Sequence, residues 1–524
     1  MVPKIKSISE IESILKTRVK EVPLSKIPHY EKLKGVKEAA EMIKKAIDKN
    51  EFISVIGDYD VDGITSSAIM TKFFKDIGYK KFEILIPDRF REGYGISPKI
   101  LERMNPETSL VVTVDNGITG YEAFDILKEK GIRTILTDHH TPKKDEKGND
   151  LIPEADIVIN PKVAFDYEMK EICGAQVAWY LIAGLKNEAG FEINLADYLD
   201  YLSLAIIADI MPLIDMNRTL VIAGLERVRK GEKPFSKVLT ESFPKIDSTI
   251  VAFQIAPRLN ATGRLEKADK ALRFLLSESY EEARVLFQEL SAINENRKEI
   301  QEEIKETIEP IIYDRFVFAV GDFHPGIVGI IASRLVEQYK KPCIVFNKKN
   351  GILKGSGRSL GNVDLFRLIN PLKELYVKFG GHPGACGISI REEDFEIFAK
   401  TLDERSKRLF REEDYFIDEH IIGEIDFSLI NEELLKVLER YEPYGFGNPL
   451  PVFITRNVKV EEKEIIKGKF LKIFLNKDGT VTEGIIFEKP EIGERISLLK
   501  YNVRRGFYGN PNLIIKEILQ KTEK

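Results

Sequence analysis

FISVIGDYDVDG, residues 52–63, is the stretch on which the fold turns. FISVIG (52–57) is apolar on consecutive positions, as a strand covered on both faces must be. It runs into Asp58, Asp60 and Asp62, spaced at alternate positions just past the strand's carboxyl end. Helical periodicity then holds from Ile64 to Ile77 and stops at Gly78, a left-handed cap. A strand, an acidic turn and a helix are the first half of a βαβ unit.

The unit recurs downstream. FEILI (82–86) is a second strand, and Ser97-Pro98 opens a short helix with an N-cap and a first-turn proline. LVVTV (110–114), a helix from Gly120 to Lys130 closed by Gly131, RTILT (133–137) and DIVIN (156–160) continue the alternation. The pattern predicts a parallel sheet with helices on its faces. LVVTV ends in Asp115-Asn116-Gly117 and RTILT in Asp138-His139-His140. Three strands therefore deliver acids and imidazoles to one edge, where open α/β sheets build their sites.

Any one aspartate after a strand is explained by turn or cap chemistry. The set is not, because five acids and two histidines at one edge repel one another unless protons, cations or metal neutralise them. Oxygen donors with one imidazole suit Mg²⁺ or Mn²⁺ better than zinc. Two such ions roughly 3.5–4 Å apart activate water and clamp a phosphoryl group, so phosphodiester or pyrophosphate hydrolysis is the chemistry expected. The shared ligand belongs on a central strand, which makes Asp115 the candidate bridge.

With 524 residues and 43% hydrophobic content, the chain is expected to form two to four domains. The first thirty residues lack the apolar core of an export signal, and no stretch reaches the roughly 20 apolar residues a membrane span requires. Cys173, Cys343 and Cys386 form no CxxC pair, which argues against disulfides or structural zinc and for a reducing cytoplasm. The net charge is −5, so no global basic field is available for nonspecific duplex binding. From Pro451 to Lys524, however, 15 Lys and Arg stand against 10 Asp and Glu, a tail suited to a polyanion.

Ser277 to Ile312 is charged, free of glycine and helical in period, which predicts a long connecting helix with a solvated face. FVFAVGDFHPGIVGIIASRL (316–335) opens a second α/β unit that runs to about Arg405. After YGFGNP (444–449), the short strands VFIT, FLKIFL and GIIF predict a small β-barrel. The expected division is an N-terminal segment 1–40, a catalytic domain 41–265, connecting helices 266–312, a second α/β domain 313–405, a linker 406–448 and a barrel 449–524. No Walker GxxxxGK[ST] or GxSxG motif is present, against ATP-driven or serine-nucleophile chemistry.

GDYDVDG, VDNG, DHH and ADIMPL (208–213) resemble, in order, the four motifs of the DHH phosphoesterase superfamily. The resemblance implies that Asp60 and Asp115 hold one metal while Asp62, Asp115, His139 and Asp209 hold the other. Asp58 occupies the first acidic position, His140 approaches the scissile phosphate, and Asp138 orients a histidine.

Later segments resemble the RecJ family: RLNATGR (258–264), HPGIVGIIASRL (324–335), KGSGRS (354–359), GGHPGACG (380–387) and YGFGNP, across roughly residues 40–520. That resemblance implies a DHH domain, a DHH-associated domain and an oligonucleotide-binding (OB) barrel. The implied activity is 5′ to 3′ hydrolysis of single-stranded DNA to 5′-mononucleotides, in repair and recombination. It assigns Ser356, Arg358 and Arg89 to a 5′-phosphate and His382 to a substrate phosphate, although Pro383 and Cys386 depart from the smaller residues expected in that motif. His324 is a further candidate, and Arg258, Asn260 and Arg264 are candidates for lining the strand path.

In the barrel, Tyr501, Phe507 and Tyr508 beside Arg504 and Arg505 are the surface candidates for stacking unpaired bases; Phe453, Phe470, Phe474 and Phe487 are read mainly as core. The resemblance also admits RNA, a single-strand-binding protein and helicases as partners. Competing readings are a DHH phosphodiesterase acting on dinucleotides or short RNA, which would not need residues beyond about 405, a replication scaffold, and an editing hydrolase. The scaffold reading sits poorly with a full set of ligand positions.

Overall fold

The computed structural model describes residues 2–20, 22–145, 147–163, 170–416, 420–466, 470–487, 490–506 and 509–520. Phe507 and Tyr508 lie outside the described residues. The chain forms two compact units, one of Met1–Asn260, Lys267–Gln288 and His420–Lys524, the other of Ala261–Glu266 and Glu289–Glu419.

The chain opens with helices α1 (Ile8–Arg18) and α2 (Val36–Asp48). A five-stranded parallel sheet follows, of β1 (Phe52–Ile56), β2 (Phe82–Leu85), β3 (Thr108–Val114), β4 (Arg133–Thr137) and β5 (Ile157–Ile159). The order is β2-β1-β3-β4-β5, so the chain reverses its winding between β1 and β3. A crevice beyond the strand ends at such a reversal is where doubly wound sheets bind ligands. Ile53, Val55 and Ile56 are fully buried, as cover on both faces requires. One face packs the core of Ile56, Ile100, Val111, Phe124 and Leu136 beneath α4 (Tyr121–Glu129). The other meets α3 (Val61–Asp76) and the apolar α5 (Gly174–Glu188), with α6 (Leu199–Ala208) packed on α3.

Helix α7 (Tyr280–Thr307) carries the chain into the second unit, as the charged period predicts. There, β6 (Ile311–Ile312), β7 (Val317–Gly321), β8 (Cys343–Lys349), β9 (Ile352–Arg358), β10 (Lys378–His382) and β11 (Ala385–Arg391) form a mixed sheet ordered β10-β11-β9-β8-β7-β6. Helix α8 (Val328–Tyr339) covers one face and α9 (Phe395–Leu409) the other.

The chain then returns to the first unit. Strands β12 (Ile421–Glu424), β13 (Val452–Ile466), β14 (Phe470–Lys477), β15 (Thr480–Ile486), β16 (Arg495–Arg505) and β17 (Pro511–Leu519) build the barrel. The ring β13-β14-β15-β17-β16 closes through β13–β16 pairing, with Phe453 opposite Tyr501.

Two stretches differ from expectation. Residues 406–448, read as a linker, contain β12, which pairs parallel to β13, and α10 (Glu432–Arg440), whose Leu434, Leu435 and Leu438 enter the barrel core. The segment 1–40 divides: Ile5, Ile8, Ile11 and Leu15 join that same core, while α2 packs on α5. Contacts between chain ends leave no local periodicity to read.

Candidate metal centre

Two glycines make the first turn possible. A Cβ on Gly57 would lie 2.1 Å from Ser67 Oγ, and one on Gly63 would lie 2.6 Å from the Asp58 backbone. Without them the first turn of α3 could not fold back beneath Asp58. Asp60 caps that helix, its Oδ1 accepting the Gly63 N–H at 3.1 Å. The Val61 N–H donates to Asn260 Oδ1 at 3.1 Å, so Asn260 braces the acidic turn. Asp62 accepts the first two N–H groups of α5, from Gly174 at 2.5 Å and Ala175 at 2.8 Å, where the helix dipole favours an anion.

Asp115 ends β3 at φ 62°, a left-handed backbone that Asp tolerates better than most residues. A Cβ on Gly174 would approach its Cβ to 2.4 Å, so only glycine lets α5 come this close. The neighbouring Asn116 amide donates to the Ile56 and Val114 carbonyls, both at 2.9 Å, and its Oδ1 accepts the Ile96 N–H at 2.9 Å. It ties β1 to β3 at the reversal. His139 leaves β4 with Nε2 3.3 Å from Asp115 Oδ1, 3.5 Å from Asp209 Oδ2 and 3.6 Å from Asp62 Oδ2. Asp209 reaches this group from the C-cap of α6.

Three groups of potential ligand atoms each lie within 4.8 Å of one another: Asp58, Asp60 and Asp115; Asp115, His139 and His140; and Asp62, His139 and Asp209. Asp115 and His139, each shared by two of these groups, link them.

These donors fit divalent cations on their own chemistry. Both Asp58 oxygens, Asp115 Oδ1, Asp209 Oδ2 and both His139 ring nitrogens are buried without a hydrogen-bond partner. Burial, with neighbouring carboxylates, pushes the Asp58, Asp115 and Asp209 carboxyls well above their ordinary range. Burial, reinforced by the charge of His140, takes His139 down to about 4, leaving a neutral imidazole for ligation. Orphaned acceptors of this kind cost free energy unless a cation satisfies them.

Asp138 has a different task. Its Oδ2 accepts the Ile118 N–H at 2.9 Å, and its Oδ1 accepts the His139 and His140 N–H groups at 2.7 and 3.0 Å and His140 Nδ1–H at 2.7 Å. Burial opposes its ionisation, but these partners hold it at about 2. Burial likewise opposes charging His140, and the Asp138 carboxylate overrides it, raising the imidazole to about 9. Asp138 enters none of the candidate ligand groups among the described residues, and its bonds orient the His140 ring.

Three residues of the site were not read from the sequence. Tyr94 OH lies 3.3 Å from the His140 ring and donates to the Asp115 carbonyl at 3.3 Å. Asn116 acts as the clamp just described. The charge of Lys162, two residues past the Asn160 amide that bonds the His140 carbonyl at 2.9 Å, faces His139 and Asp209. The asparagine of VDNG was the one available signal; the other two depend on tertiary contact.

The remaining predicted residues separate. Arg89 sits over the Tyr59 ring, 5.3 Å from its centroid, and its charge is felt at Asp58. Arg258 bonds Gln254 and lies over the Phe243 and Phe287 rings. Arg264 donates to the Gly326 carbonyl at 3.4 Å. In the second unit, Arg358 Nη1 donates to Ser356 Oγ at 2.9 Å, and a Cβ on Gly329 would lie 2.7 Å from Arg358 Nη2. Both side chains therefore stand over the first turn of α8. The Nδ1 atoms of His324 and His382 accept the N–H groups of Gly326 and Gly384, at 3.2 and 3.3 Å. Tyr501, expected at the surface, is fully buried with its hydroxyl 2.7 Å from Thr455 Oγ1. It occupies an inward position of β16 between Leu499 and Val503. Arg505 is held by Glu432 and Glu439, and Arg504 by Thr249 Oγ1 at 3.2 Å.

Comparison with known proteins agrees with this geometry. Residues 52–206 match the DHH family N-terminal domain, 313–408 the DHHA1 domain and 421–504 the RecJ OB domain. The fold and centre are therefore those of a metal-dependent phosphoesterase of the DHH type. The single-stranded-DNA-specific exonuclease RecJ of Escherichia coli (strain K12) is 31% identical, over 93% of this chain and 90% of its own length. That of Bacillus subtilis (strain 168) is 32% identical over 93% of this chain, which spans 63% of the longer relative. The crystal structure of Thermus thermophilus RecJ in complex with Mn²⁺ superimposes with a TM-score of 0.82 at 27% identity, covering 100% of this chain and 79% of that one. The chain belongs to the RecJ family.

Proposed function

We propose that the chain degrades single-stranded DNA from its 5′ end, releasing 5′-mononucleotides, in DNA repair and recombination. The observation that carries this is the buried set of unsatisfied donors meeting at Asp115 and His139. Asp58, Asp60 and Asp115 would hold one Mn²⁺ or Mg²⁺ ion, and Asp62, Asp115, His139 and Asp209 the second. Such a pair of ions lowers the pKa of water and stabilises the attacking and leaving oxygens of an in-line displacement.

The protein's own groups position the substrate. His140, kept cationic by Asp138, presents a donor to a non-bridging phosphate oxygen. Asp138 fixes the ring, and the Tyr94 hydroxyl lies against it. Ser356 and Arg358, over the N-terminal turn of α8, supply a hydroxyl, a guanidinium and backbone N–H groups, a combination that suits a terminal phosphate. Arg89 and His382 are assigned to further phosphate contacts. An anchored 5′-phosphate would set the polarity of digestion. The barrel supports an unpaired substrate, since OB folds bind single strands by stacking and charge. Cys173, Cys343 and Cys386 are free and buried, in keeping with a reducing cytoplasm. Among the described residues no helix is long and apolar enough to cross a membrane.

Digestion of end-labelled single strands, with and without a 5′-phosphate, tests the reading. Mononucleotide release in Mn²⁺ or Mg²⁺, its abolition by EDTA, and loss of the 5′-phosphate preference in Arg358→Ala are expected. Release that survives chelation would overturn the metal centre, and release from 3′ ends the polarity. An RNA strand, and DNA in the presence of a single-strand-binding protein or helicase, extend the same assay to the other partners proposed for the family.

A further inference from the structure

Two large apolar side chains, one directly after Asp209 and one on a turn bonded to the segment that leaves it, point away from any core. Ile210, the residue after Asp209, is 68% exposed, and Phe446 is 63% exposed. Ile210 also has φ 55°, a backbone conformation that β-branched residues rarely adopt. The backbone that carries Phe446 is tied down. Gly445 and Asn448 exchange backbone hydrogen bonds at 2.9 and 3.2 Å, closing a turn with Phe446 at its tip, and Gly447 supplies the φ of 77° that the turn requires. The Asn448 amide anchors the turn to the Tyr441 and Pro443 carbonyls at 3.0 and 2.9 Å. The Leu213 N–H donates to the Phe446 carbonyl at 2.7 Å, and a Cβ on Gly447 would touch Pro212 at 3.0 Å. The segment leaving Asp209 and the tip of YGFGNP are thus one rigid ledge.

We infer that Ile210 and Phe446 form an apolar lip on which the nucleobase next to the scissile phosphodiester rests. The inference depends on the proposed nuclease function and specifies its substrate. Asp209 is placed to hold the ion that binds the phosphate, so a side chain one residue further lies within reach of the base attached to that phosphate. A ring face and a branched aliphatic chain, with no polar group of their own, fit the face of a base and are indifferent to its identity. A base in a duplex has its faces covered by stacked neighbours, so the lip serves unpaired strands. An isoleucine held at positive φ stores backbone strain, and such strain clusters where a protein contacts its ligand.

The test uses the full chain, a 5′-phosphorylated oligodeoxynucleotide, and the same strand with an abasic nucleotide at each of its first positions. Wild type is expected to show a raised KM for an abasic site at one of these positions. In Phe446→Ala and Ile210→Asn, KM for the normal strand should rise about tenfold, and that abasic position should cost little more. Asparagine accepts positive φ, so Ile210→Asn should melt no lower than wild type, which separates a lost contact from a lost fold. An unchanged KM, or an abasic penalty that persists in both variants, would overturn the lip. If wild type fails to degrade single strands at all, the proposed function itself falls.

Discussion

Asp115 commits both backbone and side chain to the site, and that makes it the most informative residue to change. Asparagine keeps the shape, tolerates φ 62° and removes one of several buried carboxylates that repel one another. In EDTA, Asp115→Asn should therefore melt higher than wild type. Adding Mn²⁺ at about a hundredfold excess over its Kd should stabilise wild type by about 2.7 kcal/mol and leave the variant nearly unmoved. Calorimetry with and without Mn²⁺ reads both effects, and an equal metal-induced shift in the two proteins would deny Asp115 its role. Asp138→Asn separates orientation from ligation: kcat should drop by about 10–100-fold while Mn²⁺ titration still shows binding, because both Asp138 oxygens are taken up by hydrogen bonds. At this scale the sequence was most transparent where residues follow strands, as Asp58, Asp115 and His139 do. Asp209 needed family resemblance because it ends a helix. Tyr501 misled because adjacent arginines outweighed the alternation Leu499, Tyr501, Val503 that puts it inside.

The turn between β1 and α3 is the element on which the centre depends, and its glycines are steric necessities. Gly63→Ala pushes a methyl within 2.6 Å of the Asp58 backbone, where no flexible side chain can yield. The cost should be about 1–3 kcal/mol, seen as a lower denaturation midpoint, with Mn²⁺ affinity falling as Asp58 and Asp60 move apart. A variant with wild-type stability and metal affinity would show that the turn relaxes freely. The strands of the first sheet were legible within a residue or two because each is a short apolar run ending in turn chemistry, as RTILT and its match at Arg133–Thr137 illustrate. Their order was not, since the pairing of β1 with β3 that creates the crevice is set by packing across the sheet rather than by any local period. Strand β12 escaped for a related reason: four residues paired parallel to a distant partner carry no hairpin signal.

On the scale of the whole molecule, the order of domains along the chain is not the order of its cores. The Ile5 N–H bonds the Glu424 carbonyl at 2.9 Å, extending the edge of β12, and α1 lays Ile8, Ile11 and Leu15 against α10 and the barrel strands. Glu12 and Arg440 pair on the outer face of the same helix contact. The OB barrel is thus completed by residues more than 400 positions upstream, and its stability should depend on them. Ile11 is fully buried, so Ile11→Ala leaves a cavity costing about 2–5 kcal/mol. Because a chain of two units need not unfold in one step, the loss should be sought locally, as faster hydrogen exchange in β13 and β16 with β1 and β3 unchanged. Affinity for single strands should fall with it, while Mn²⁺ binding at the sheet edge stays. Equal exchange in the barrel strands of variant and wild type would mean that α1 merely rests on a barrel that stands without it.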